Sequence, residues 1–111
     1  MKVSVCALVL SLLASAVAAQ DKPLVIPQVE GAKQGRVIGR AIACGVPQER
    51  TGAAIAVNRQ RMLAAVGAAF TEDRYLPALN DATSFEASLP KPSEAACAKA
   101  VTEFEALERA H

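Results

Sequence analysis

The segment that most restricts how this chain folds is the one it is expected to lose. Residues 1–19 run from Lys2 through an uncharged apolar stretch, Val3 to Leu13, to small side chains ending Ala16-Val17-Ala18-Ala19. A positive start, an apolar middle and small residues at the last and third-last positions form the three-part pattern of a secretory signal. Read instead as a retained anchor, the stretch is short for a bilayer span, interrupted by serines and without a positive stop-transfer flank. Cleavage after Ala18 or Ala19 fits the pattern equally well. Folding would then occur in an oxidising compartment, periplasmic or extracellular, and without stable membrane insertion once the signal is gone.

Cys6 leaves with the signal and lies too far inside it to serve as a lipid acceptor. Cys44 and Cys97 remain. In an oxidising compartment two cysteines are expected to pair. Closing the loop from residue 44 to residue 97 removes unfolded-chain entropy worth about 4 kcal/mol in the chain-entropy model. A thiol-redox centre would place its cysteines close together as Cys-x-x-Cys, and nothing here has that spacing.

Prolines and glycines divide the mature chain. Residues 20–28, QDKPLVIPQ, carry two prolines around Leu24, Val25 and Ile26 and read as an extended arm. Residues 29–111 read as one helical domain. A first helix is expected over 29–44, with Val37, Ile38, Ala41, Ile42 and Cys44 inward, stopped by Gly45 and Pro47. A second is expected over 47–70 through Ile55, Met62, Val66 and Phe70. A third, over 75–89, places Ala78, Ala82, Phe85 and Leu89 on one face and closes at Pro90 and Pro92. A fourth begins with Ser93 as N-cap and Glu94 behind it, and buries Cys97, Ala100, Val101, Phe104 and Leu107. Pairs four apart, Lys99 with Glu103 and Glu105 with Arg109, decorate its surface.

No segment alternates with period two, so the fold class is all-α, a small four-helix bundle of up-and-down or orthogonal type held by one disulfide. Alanines nearly match the larger apolar residues in number, which makes the core thin and the disulfide important.

Two patterns stand out. Gly31, Gly35 and Gly39 recur at steps of four, with Ala43 continuing the series. They are either a frayed first turn with order beginning at Arg36, or a smooth ridge on which another helix docks, with Arg36 and Arg40 beside it as partner-binding residues. Charge is the second pattern. Lys33, Arg36, Arg40, Arg50, Arg59 and Arg61 dominate residues 29–62, whereas Glu72, Asp73, Asp81, Glu86, Glu94, Glu103, Glu105 and Glu108 dominate the remainder. The halves either complement each other within the bundle or orient a partner.

Catalytic sets are missing. The single histidine, His111, is terminal. No metal-ligand cluster, Cys-x-x-Cys-His haem site or phosphate-cradling glycine loop occurs, and a triad would lack a positioned imidazole. The carboxylates near Glu72 and along Glu103, Glu105 and Glu108 read as solvated surface. Asn58 and Asn80 lack the glycosylation pattern. With Lys2 removed, the formal charge of +1 falls to neutrality, which gives no electrostatic case for nucleic acid.

Cys44-Gly45-Val46 closing one helix, Arg50 in a basic second helix, and Cys97, Phe104 and Leu107 in a C-terminal helix look like many small exported bacterial proteins. In size, helicity and a single long-range disulfide the chain is also similar in architecture to the acid-stress periplasmic chaperones of the HdeA type. That resemblance implies client binding switched on by acid, as protonation of the carboxylates leaves the chain strongly positive. Beside it stand a non-catalytic accessory subunit binding another envelope protein, and a carrier of a small apolar ligand. No cofactor is expected. Mass spectrometry of the protein from its native cells should show a chain starting at Ala19 or Gln20 with both thiols blocked. A chain starting at Met1 with alkylatable thiols would remove the premise of export.

Overall fold

The structure, a computed structural model, describes residues 24–110; the signal expected over 1–19, the first residues of the arm and His111 lie outside them. Among the described residues all regular structure is helical. Helix α1 is Pro27–Ala43 and α2 is Gln48–Val66. Helix α3, over 68–88, is composite: Ala68–Phe70, a π-helical turn Thr71–Tyr75, then Leu76–Ser88. Helix α4 is Glu94–Arg109.

Each boundary has a local cause. Pro27 opens α1, where its missing N–H costs nothing and its fixed φ suits the first turn. Helix α1 therefore starts inside the expected arm, and the frayed-turn reading of Gly31 and Gly35 is overturned. At the other end, Val46 N–H bonds to the Ala41 carbonyl at 2.9 Å and Gly45 N–H to the Ile42 carbonyl at 3.0 Å. This is a Schellman closure, and it requires the positive φ of Gly45 (93°). Val46 is buried behind it. Gly67, with φ 89°, separates α2 from α3, so the expected second helix ends before Phe70. Ser93 caps α4 as expected, its Oγ accepting from Ala96 N–H at 3.2 Å.

The π turn is explained by Pro77. That residue offers no N–H to the carbonyl four positions back, and its ring crowds it. Immediately upstream, Leu76 N–H reaches to the Thr71 carbonyl, one residue further than in an α-helix. Thr71 Oγ1 also donates to the Gly67 carbonyl at 2.7 Å. Helix continuity is kept through a proline that would otherwise break it.

The main contact in the fold joins α1 to α3, which are not consecutive. All three ridge glycines are buried there. A Cβ on Gly31 would strike the Tyr75 carbonyl oxygen, one on Gly35 the Leu79 carbonyl oxygen, and one on Gly39 the Thr83 carbonyl oxygen at 2.6 Å. Both series advance by four in the same direction, so the two helices run parallel with their four-residue ridges in register. The ridge is therefore filled by the chain's own helix. Helix α2 serves as the return connection and touches α1 far less.

Ile38 and Ala41 of α1, Tyr75 and Leu79 of α3, Phe104 of α4, and Ala54 and Met62 of α2 make one core cluster. The expected face of α3 is corrected in part: Ala82 meets α1 as expected, together with Tyr75, Leu79 and Thr83, but Phe85 is 64% exposed and Leu89 is exposed. Where the glycines admit backbone, Tyr75 and Leu79 turn into the core beside the contact, and Ala82 and Thr83 continue it. Cys44 at the end of α1 and Cys97 in the first turn of α4 are joined, with Cα atoms 5.5 Å apart.

Gly35→Ala should lower the unfolding free energy by about 2 kcal/mol, since the added carbon meets backbone that cannot yield locally. Gly52→Ala, in open space on α2, should raise it by about 1 kcal/mol. Urea denaturation of both variants checks the contrast.

Candidate functional site

Among the described residues three ion pairs hold the helices at their edges. Arg40 meets Glu86 at 3.5 Å across α1 and α3, Arg50 meets Glu108 at 2.6 Å across α2 and α4, and Arg59 pairs with Glu72. Each joins a basic residue of the first half to an acidic residue of the second. The complementary-halves reading thus has its contacts inside the molecule, and Arg40, expected beside a partner, is engaged with the chain's own α3. Arg36 stays exposed. The expected pairs Lys99–Glu103 and Glu105–Arg109 are not among the ion pairs of the described residues.

The Arg50 contact is the most elaborate. Its Nη2 and Nε donate to the two carboxylate oxygens of Glu108 at 2.6 and 3.3 Å, and its guanidinium lies over the Phe104 ring, 5.4 Å from the centroid. The hydrogen bond from Arg50 holds the Glu108 carboxyl below its ordinary range. The same bond raises Arg50.

Clefts open between the helices. One, about 250 Å³, lies beside the disulfide between Arg40, Glu86, Leu89, Pro90, Lys99 and Glu103. Its charges are paired or face water, and its walls are mostly aliphatic. Another, about 180 Å³, lies between α1 and α2 and is lined by Val25, Glu30, Gln34, Asn58, Arg61 and Met62. Tyr75 borders this second region: its hydroxyl donates to Gln34 Oε1. Burial pushes the phenol up to about 12, so it remains a proton donor across the physiological range.

The α1–α2 cleft has an unusual polar balance. Asn58 is 2% exposed, and its Nδ2 donates to the Ala54 carbonyl at 2.8 Å. A carbonyl can only accept, which fixes the amide's orientation and turns Oδ1 the other way. Asn58 Oδ1 and Arg61 Nη2 are both buried without a protein partner, as is Thr83 Oγ1 elsewhere. A buried orphan of this kind costs about 1–3 kcal/mol. Asn58, Arg61, Glu30 and Gln34 do not stand out in the sequence as a group. The one signal there is Asn58 itself, the single amide on the stripe Thr51, Ala54, Asn58, Met62 that buries α2.

Among the described residues no three His, Cys, Asp or Glu gather as metal ligands, and no helix is long and apolar enough to cross a membrane. No family model, curated protein or solved structure matches the chain.

Glu108 supplies a pH dependence with a definite sign. Its folded pKa is lowered, so its stabilisation is present above the unfolded carboxylate value of about 4.3 and is lost as pH falls through the folded value. Thermal melts should be flat from pH 7 to about 5 and decline below about 4.3. In Glu108→Gln the decline should be shallower.

Proposed function

We propose that the protein is a small exported helical subunit, without catalytic activity, that binds another protein of the cell envelope. The observation that carries this reading is a run of large apolar side chains left in solvent where the arm meets α1. Leu24 is 86% exposed and Val29 57%, and Val25 and Ile26 are also exposed. Contiguous apolar surface of this kind is a cost to a monomer and a contact for a partner. The body behind it is rigid: the glycine-packed α1–α3 pair and the disulfide fix α1, from which the run projects. A helix ridge already filled by α3 leaves the arm and first turn of α1, not Gly31, Gly35 and Gly39, as the surface that supports binding.

A second reading, the acid-activated chaperone, is favoured by the ion pairs. All three rely on glutamates of the second half, and of these Glu108, held below its ordinary range by Arg50, ties α4 to α2 until acid protonates it. The carrier of an apolar ligand has less support, because both clefts are small and each has charged side chains on its walls.

Photocrosslinking in native cells tests the first reading. A photoreactive residue replacing Val29 should give one discrete adduct, and the same residue replacing Lys91 should not. Leu24→Asp combined with Val29→Asp should abolish the adduct with the helical circular dichroism intact. Equal, diffuse labelling from both positions would sink the proposal. Protection of aggregating clients at about pH 2, absent at pH 7, would favour the chaperone instead.

A further inference from the structure

We propose that the cleft between α1 and α2 is a binding site for a small zwitterion of the α-amino-acid type. Four groups from two helices converge on it. Asn58 and Arg61, three apart, share one face of α2; Glu30 and Gln34, four apart, share one face of α1. Their chemistry is split by sign. Arg61 Nη2 is a buried cationic donor with no partner, so it calls for an anionic oxygen. Gln34, its oxygen already occupied by the Tyr75 hydroxyl, has its amide N–H groups left to offer as further donors. Asn58 Oδ1 is a buried acceptor with no partner, so it calls for a donor. Glu30 adds a negative charge from the facing helix. A molecule with a carboxylate and an ammonium group satisfies all four at once, whereas a simple anion leaves Asn58 unfilled and meets Glu30 as a like charge.

Size and lining narrow the class further. A volume of about 180 Å³ holds roughly six water molecules, which admits a small amino acid and excludes drug-sized ligands. Val25, Met62 and Ala65 provide apolar wall for a short aliphatic side chain. The site lies between two helices that touch sparsely, so a ligand bridging them would tighten the docking of α2 on α1.

Side-chain NMR of the protein purified from its native cells reads this directly, through the Asn58 Nδ2–H and Arg61 Nε–H resonances. L-alanine should shift both in a saturable way, with acetate and methylammonium each weaker by at least about tenfold. Asn58→Leu and Arg61→Gln should each weaken alanine binding by about tenfold or more while the helical circular dichroism is retained. Should either variant fail to fold, Glu30→Gln, at a partly exposed position, is expected to bring alanine and acetate to similar affinity, by weakening alanine and relieving the like-charge contact with acetate. No saturable shift with any probe would mean that the cleft holds water only and would overturn the proposal. So would acetate binding the unaltered protein as tightly as alanine.

Discussion

The fold depends on two backbones being allowed to touch. Gly31, Gly35 and Gly39 remove every Cβ from one stripe of α1, and the carbonyl oxygens of Tyr75, Leu79 and Thr83 occupy the space. In water each glycine weakens a helix by about 1 kcal/mol against alanine, so the ridge is tolerated only because packing along its whole length offsets that cost. The remaining helices are arranged around this contact. Since α1 and α3 are parallel neighbours, α2 must run back between their ends and sits to one side. Since α3 must keep its register past Pro77, it carries a π turn immediately upstream. An alanine-rich chain, poor in bulk, gains contact by proximity where it cannot gain it by size.

Charge completes what the thin core leaves open. Among the described residues the basic first half and acidic second half meet at three points, and every pair couples different helices. Exposed pairs of this kind are each weak, at most about 1 kcal/mol. Their value here lies in placement: α2, which packs sparsely on α1, holds two of the three, through Arg50 and Arg59. Arg50 also lies over Phe104, so part of its contribution is packing that salt does not screen.

How much of this is legible in the sequence varies with the range of the interaction. Three helix ends are readable because their signals are local, Ser93 beside Glu94, Gly45 after Cys44, and Pro90 and Pro92 after Leu89, whereas the starts at Pro27 and Ala68 and the break at Gly67 are not. The disulfide is readable because, with Cys6 inside the expected signal, the two remaining cysteines leave one pairing. The partner of the glycine ridge is not, since a smooth stripe states that something approaches and not which helix does. Apolar periodicity misplaces part of the buried face of α3, because the glycine ridge takes up the stripe of Tyr75, Leu79 and Thr83, which includes a polar residue and leaves Phe85 to one side. Phe85 therefore points outward and Thr83 inward. The polar cleft stays hidden for a related reason. Asn58 and Arg61 each look ordinary on an isolated helix, and only the approach of α1 withdraws them from water.

The covalent link between Cys44 and Cys97 has a mechanical consequence. It joins the last turn of α1 to the first turn of α4, so a tensile load applied to the two chain ends passes along α1, across the sulfur bridge and out through α4. Everything from Gly45 to Ala96, including both α2 and α3, lies off that load path as a closed bight. Pulled from both ends, the molecule would transmit force without lengthening through its middle.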